Sequence, residues 1–235
     1  MWYRTVLAVV VLMFGSFAHA DVLATSGHDR APLVHHDFSP SAHRAPLQVN
    51  HPDPVAPLVA LAAMQDDEPL PSGVPAFGTK GSWRWQLHGM GGFSVNSRGS
   101  GNNEYGLGGA LSYFMEDALS LELELTAWYF DQEGEDAEGI NFSILVRWQA
   151  YQRDTWTFFV EGGAGLLHST SDVPDGPGSS FNFTPTAGFG FSFDIGNDRR
   201  LLTGLRWHHI SNANLYTSNP GRDSIVFWAG ISLPF

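Results

Sequence analysis

Eight segments between Trp83 and Phe235 alternate apolar and polar residues with a period of two, and this pattern constrains the fold more than any other feature of the chain. The third segment is typical: its apolar positions are Leu119, Leu121, Leu123 and Leu125, and its polar positions are Ser120, Glu122, Glu124 and Thr126. A period of two places successive side chains on opposite faces of a β-strand. The segments are therefore predicted to be strands with one apolar and one polar face, and the fold class is all-β.

The length and number of these strands favour a membrane barrel. Most are long enough to cross a bilayer at a tilt, which takes about 9–11 residues. An even number of strands lets a sheet close, so that no unpaired backbone edge meets lipid. Beyond the N-terminus, no run approaches the ~18 apolar residues of a membrane helix. We predict an eight-stranded antiparallel transmembrane β-barrel over residues 81–235.

A soluble eight-stranded calyx of the lipocalin type is the competing architecture, with its apolar face turned inward around a ligand. The apolar face here carries too many Trp, Phe and Leu side chains for the narrow interior of eight strands. The polar face is instead rich in Gly, Ser and Thr, with charges of both signs, and can fill that interior. The apolar face is therefore expected to meet lipid, and the interior is expected to leave no open transport channel.

The connections between strands alternate in length. Short turns are predicted at 116–117, 153–154 and 196–198, and longer loops at 96–103, 131–138, 169–179 and 212–222. Outer-membrane barrels have short periplasmic turns and long external loops. The pattern predicts the bacterial outer membrane, with the N-terminus of the barrel on the periplasmic side, and the terminal Phe235 resembles the ending of such barrels.

Two segments precede the barrel. Residues 1–20 are typical of a secretory signal peptide, with Arg4 before an apolar core and Ala18-His19-Ala20 as a small-x-small cleavage site. Residues 21–80 hold nine of the fourteen prolines and are predicted to be a disordered periplasmic linker. Five histidines in this linker leave metal binding open, although their irregular spacing favours a solvated linker.

Composition excludes several classes of function. The net charge of -12, with only twelve Lys and Arg residues, excludes a basic nucleic-acid-binding protein. The absence of cysteine excludes disulfides, thiolate nucleophiles and Cys-ligated zinc. We expect no cofactor and no catalytic metal.

Three residues near the last hairpin have the chemistry of an acyl-transfer triad. His209 and Ser211 are two apart and share the outward face of their strand, and Asp223 has the outward parity of the final strand. Polar side chains on a lipid-facing surface destabilise the protein, so a group of them there indicates a function. Ser211 would be the nucleophile, His209 its base and Asp223 the orienting acid. The alternative is that all three lie at the aqueous rim by chance.

Two further sets of residues would support this chemistry. Candidate donors to an oxyanion are Asn219, Gly221 and Asn212, although the Asn-Pro-Gly stretch is equally typical of a turn. Apolar residues on the same outer face would line an acyl-chain groove, or belong only to the lipid-facing belt: Trp207, Leu205 and Phe227.

The stretch His209-x-Ser211-Asn212-Ala213, followed by an acidic residue on the last strand, resembles the PagL-type lipid A 3-O-deacylases. The resemblance implies an eight-stranded outer-membrane barrel with a lipid-facing Ser-His-acid site. Its substrate would be lipid A, lipopolysaccharide or another acylated membrane lipid. The chain departs from the family pattern by carrying Asp223 where a Glu is expected. A non-catalytic structural or adhesion barrel is the alternative function. The oligomeric state stays open, with a homodimer among the options.

Overall fold

A computed structural model describes residues 76–96 and 102–235. The predicted signal peptide, and the predicted linker except residues 76–80, lie outside the described residues. The described part consists of antiparallel strand segments, which we number β1 Trp83–Ser94, β2 Asn103–Glu116, β3 Leu119–Asp131, β4 Ala137–Gln152, β5 Trp156–Val173, β6 Ser179–Phe183, β7 Thr186–Asp194, β8 Arg200–Ile210 and β9 Arg222–Pro234.

These segments close into a barrel of eight strands. Consecutive strands pair from β1 to β5, β5 pairs with both β6 and β7, and the pairing continues from β7 through β8 and β9 back to β1, so the sheet closes on itself. The short segments β6 and β7 both pair with β5, and they form successive parts of the sixth barrel strand. The predicted eight-stranded antiparallel barrel is therefore confirmed, with one strand interrupted at Thr184-Pro185.

The two faces of the barrel have the predicted orientation. On β1, Trp85 is 53% exposed on the outside while its neighbour Arg84 is 1% exposed in the interior. On β3, Leu125 points outward and Glu124 inward in the same way. This arrangement excludes the lipocalin alternative, in which the apolar face would line the interior. No helix in the described residues is long and apolar enough to cross a membrane.

Ion pairs and crowded contacts fill the interior. Arg206 contacts Glu161 at 2.7 Å and Glu124 at 3.0 Å, and Arg147 contacts Glu161 at 2.9 Å. A Cβ atom added at Gly108 would lie 2.7 Å from Nε2 of His88. Buried charges are tolerated when they are paired, so the polar face can fill the interior of the barrel as predicted.

Phe77 packs across the end of the barrel that carries the short turns. Its ring meets Phe114 edge-on at a centroid distance of 5.4 Å, and the guanidinium of Arg200 lies 4.6 Å from the Phe77 centroid. The Phe77 N–H donates to Oδ1 of Asp198 at 2.9 Å. This residue lies in the range predicted to be linker, and its contacts lie at the end of the barrel that carries the short turns.

The prediction of a long loop at 169–179 is wrong in extent. The strand β5 continues to Val173, which pairs with Ser179 at the start of β6, so only residues 174–178 connect them. The inward side chains of Ser169 and Val173 are buried and continue the alternation of β5. The Ser- and Thr-rich sequence of this stretch resembles a loop by composition, and this composition conceals the period of two.

Candidate active site

The interruption of the sixth strand lies opposite the end of β8. Pro185 has no N–H to donate to a neighbouring strand, and the regular pairing of β7 with β8 ends at Thr186 and His208. Beyond that point the His209 N–H donates to the Pro185 carbonyl at 3.0 Å, and Ser211 exchanges two backbone hydrogen bonds with Phe183. The backbone of His209 near the end of β8, and of Ser211 just after it, is therefore held on this side by Pro185 and by β6.

His209 and Asp223 face each other directly across the β8–β9 hairpin. Nδ1 of His209 lies 2.8 Å from Oδ1 of Asp223, and the two side chains are 23% and 29% exposed. An ionised carboxylate only accepts hydrogen bonds, so Nδ1 carries the proton and Nε2 is the basic nitrogen of the neutral imidazole. This is the arrangement that a histidine acting as a general base requires.

Ser211 lies on the same outer face as His209, two residues further along the chain. The period of the strand separates the two Cα atoms by about 6.5–7 Å, and Ser211 is half-buried. Among the described residues, no hydrogen bond joins Ser211 Oγ to His209. Hydrogen bonds to a catalytic base are often long in the absence of substrate, so this geometry leaves Ser211 a candidate nucleophile.

Asn212 organises the loop that follows. Its side chain is buried, and its Nδ2 donates to the Ser218 carbonyl at 2.8 Å and to Ser179 Oγ at 3.2 Å. Its backbone N–H donates to Oδ1 of Asn219 at 3.0 Å, and its own Oδ1 accepts from the Asn214 N–H. The N–H groups of Asn212 thus donate hydrogen bonds to the loop and to β6.

Two other residues of this loop, Asn219 and Gly221, were predicted as oxyanion donors. Because the oxygen of the Asn219 amide accepts from Asn212, its NH₂ end is the part left to donate to another group. Gly221 has a φ of +63°, and a Cβ added there would lie 3.4 Å from Cε1 of His209. A glycine at this position lets the chain turn beside the imidazole ring.

Asp223 has two further partners that hold its carboxylate. The indole Nε1 of Trp207 donates to Oδ1 at 2.9 Å, and Nδ2 of Asn96 donates to Oδ2 at 2.9 Å. The Asp223 N–H donates in turn to Oδ1 of Asn96 at 2.9 Å. Trp207 was predicted only as a groove residue, and Asn96 was not predicted at all.

The family to which this barrel belongs is established by its sequence. A family model described as "Lipid A 3-O-deacylase (PagL)" matches residues 76–232, which include the candidate site and all strands except the last two residues of β9. The chain belongs to the lipid A 3-O-deacylase (PagL) family. The resemblance drawn from the sequence is thereby confirmed.

Individual proteins are similar to this PagL-family chain in sequence or in fold. The chain is 33% identical over 113 residues to the lipid A deacylase PagL of Bordetella bronchiseptica, a match that covers 46% of this chain and 59% of that relative. The crystal structure of the outer membrane enzyme PagL has a TM-score of 0.52 at 23% identity, covering 64% of this chain and 99% of that one. Neisserial surface protein A has a TM-score of 0.51 at 16% identity, covering 65% and 97%. The two structures show the shared fold, and the predicted outer-membrane localisation is confirmed.

In this PagL-family barrel an apolar strip runs down the outer face from the candidate site. Leu205 on β8 lies directly opposite Phe227 on β9, and Phe227 is 57% exposed. Trp207 stacks on the imidazole of His209 with centroids 5.6 Å apart and planes inclined by 23°. This strip continues the outward apolar face of the barrel as far as His209. Among the described residues, no group of three His, Asp or Glu side chains could hold a metal ion.

Proposed function

We propose that the protein is an outer-membrane serine esterase that hydrolyses the 3-O-linked acyl chain of lipid A. The observation that carries the proposal is the hydrogen bond of 2.8 Å between Nδ1 of His209 and Oδ1 of Asp223 on the membrane-facing side of the barrel, with Ser211 on the same face. Membership of the lipid A 3-O-deacylase family supports the choice of substrate and of ester position.

The first half of the reaction transfers the acyl chain to the protein. His209 Nε2 takes the proton of Ser211 as Oγ attacks the ester carbonyl, and the carbonyl oxygen becomes an oxyanion. Asp223 stabilises the imidazolium that forms. When the intermediate collapses, the bond to the sugar oxygen breaks, and His209 gives its proton to that oxygen as it leaves.

The second half restores the serine. Water entering from the external side attacks the acyl-serine carbonyl while His209 Nε2 takes one of its protons. The bond between Ser211 Oγ and the acyl carbon then breaks, Oγ recovers the proton from His209, and the fatty acid is released. In both halves the NH₂ group of Asn219 and the N–H of Gly221 are the proposed donors to the oxyanion, with Asn212 holding Asn219 in place.

Substrate capture is proposed to depend on apolar contact. The chain is acidic overall, with a net charge of -12, so general attraction to anionic lipid does not favour binding. The strip formed by Leu205, Trp207 and Phe227 offers the acyl chain an apolar path to Ser211.

The test is to incubate the folded protein with lipid A and to follow the lipid by mass spectrometry. We expect loss of one hydroxyacyl chain with the wild-type protein and at least a ~10³-fold lower rate with Ser211→Ala. Ser218→Ala is the matched control, because Ser218 lies in the same loop and contacts Asn212 only through its backbone carbonyl. Equal product from wild type and Ser211→Ala would overturn the proposal.

A serine-reactive phosphonate separates this function from that of a non-catalytic structural or adhesion barrel. An activated Ser211 should form a covalent adduct in the folded barrel, and the adduct should be absent after Ser211→Ala or heat unfolding. A folded wild-type protein that forms no adduct and releases no fatty acid would support the non-catalytic alternative.

A further inference from the structure

The carboxylate of Asp223 is held by more groups than an orienting acid needs for its histidine alone. Oδ1 accepts hydrogen bonds from His209 Nδ1 and from Trp207 Nε1, and Oδ2 accepts one from Asn96 Nδ2. Two of these donors, Trp207 and His209, lie on β8, and the third, Asn96, lies two residues beyond the end of β1. Both oxygens of the carboxylate are therefore oriented before any substrate binds.

The side chain of Asn96 forms two hydrogen bonds with Asp223. Its Nδ2 donates to the carboxylate, and its Oδ1 accepts from the Asp223 backbone N–H, each at 2.9 Å. The adjacent Val95 N–H donates to the Asp223 carbonyl at 2.8 Å, which fixes the backbone of the two segments relative to each other. Because one planar amide contacts both the main chain and the side chain of Asp223, it restricts the side-chain torsions that aim the carboxylate at His209.

Trp207 acts on the opposite side of the same carboxylate. Its indole N–H is a donor only, and it shares Oδ1 of Asp223 with His209. Its ring also stacks on the His209 imidazole. The indole thus limits both the position of the carboxylate and the rotation of the imidazole.

This support bears on the departure of the chain from the family pattern. Asp is one methylene shorter than the Glu that the resemblance leads one to expect, and a shorter acid must be placed closer to its histidine. The β8–β9 register brings His209 directly opposite Asp223, and the bond between their side chains is 2.8 Å long. Asn96 and Trp207 then contact the shorter acid in this position.

We propose that Asn96 is a positioning residue that acts through Asp223, together with the indole N–H of Trp207, to hold the carboxylate against His209. The proposal rests on the hydrolytic function proposed above. In the described part of the chain, no hydrogen bond joins Asn96 to Ser211 or to the oxyanion candidates, so its effect on the reaction passes through Asp223. An aligned carboxylate matters most when the imidazolium forms, so Asn96 should influence kcat more than KM.

The experiment compares substitutions at Asn96 in the full, folded barrel with lipid A as substrate. We expect Asn96→Ala to lower kcat about tenfold, the usual effect of losing a hydrogen bond to a charged group, with KM little changed. Asn96→Asp should lower kcat further, because it replaces the donor with a carboxylate that repels Asp223. Asn102→Ala is the matched control, since Asn102 lies near the other end of the same loop and uses its backbone carbonyl to accept from Ser94.

A double-mutant cycle distinguishes positioning from a general structural role. In an Asp223→Ala background, Asn96→Ala should have little further effect on the rate of Ser211 acylation, because the group it positions is gone. The same tenfold loss in both backgrounds, or wild-type kcat for Asn96→Ala, would overturn the positioning role. A wild-type protein with no esterase activity and no Ser211 adduct would instead overturn the function on which this inference rests. If wild type is active while Ser211→Ala is not, the function stands independently of the result at Asn96.

Discussion

Two neighbouring residues of β8 form histidine–carboxylate pairs on opposite sides of the barrel wall. His208 points inward, with Nδ1 2.9 Å from Glu104, and His209 points outward, with Nδ1 2.8 Å from Asp223. The inner side chains are 4% and 0% exposed, whereas the outer ones are 23% and 29% exposed. The local geometry is almost the same, so access from the membrane distinguishes the two pairs.

The partners of the two carboxylates also differ. Ser224 Oγ donates to Glu104 at 3.1 Å, and Arg222 lies 3.4 Å from the same carboxylate. The inner site therefore also holds a serine, a histidine and an acid, but all three are buried and its serine donates its hydrogen bond to the acid. A set of residue types is thus insufficient to indicate catalysis, because a substrate must also be able to reach the serine and the histidine.

The largest expected effect comes from removing each histidine in turn. His209→Asn should lower the kcat for deacylation by roughly 10⁴-fold or more, the usual result of removing a general base from a triad. His208→Asn should leave the kcat of the folded protein near that of wild type, because no substrate reaches the interior. The measurement is the rate of fatty-acid release per folded barrel, with folding followed by heat-modifiable migration in gels. A comparable loss of kcat from both variants would show that the two pairs act as one unit.

Removing each carboxylate should have the opposite pattern. The free energy of unfolding should fall more when the inner carboxylate is removed than when the outer one is. Glu104→Gln leaves the buried Arg222 without its ion pair and should lower the free energy of unfolding by about 3–5 kcal/mol. Asp223→Asn affects a partly exposed pair and should change it by less than about 1 kcal/mol, while it lowers kcat. Urea titration of each variant barrel in lipid vesicles measures the two free energies of unfolding. If Asp223→Asn destabilises as strongly as Glu104→Gln, the outer pair is a structural element.

The two pairs also show which parts of the molecule are predictable from sequence. The inward and outward directions of His208 and His209 follow from the period of two, because no bulge disturbs β8 between Leu201 and Ile210. Eight strands and their closure follow from the same period and from strand length. The local pattern therefore predicted the fold and the face on which the candidate site lies.

Contacts across the barrel could not be predicted in this way. Asn96 meets Asp223 because β1 and β9 close the barrel in one particular register, with Ser94 opposite Ser224. That register is a property of the whole closed sheet, so the sequence near either residue does not predict it. The interruption of the sixth strand had a signal, since Pro185 lies within an alternating run, and a proline there indicates a break in pairing.

The smallest expected effect concerns the loop that borders only the outer pair. Gly221→Ala adds a Cβ at a positive φ, 3.4 Å from Cε1 of His209, and should lower kcat about fivefold, corresponding to about 1 kcal/mol of displaced geometry. Gly176→Ala is the matched control, because Gly176 also has a positive φ of +85° but has no atom within 4 Å of the added Cβ. Both variants should lose similar stability, and only Gly221→Ala should lose activity. If the two variants lose equal activity, backbone strain alone explains the loss, and the space beside His209 has no role in the reaction.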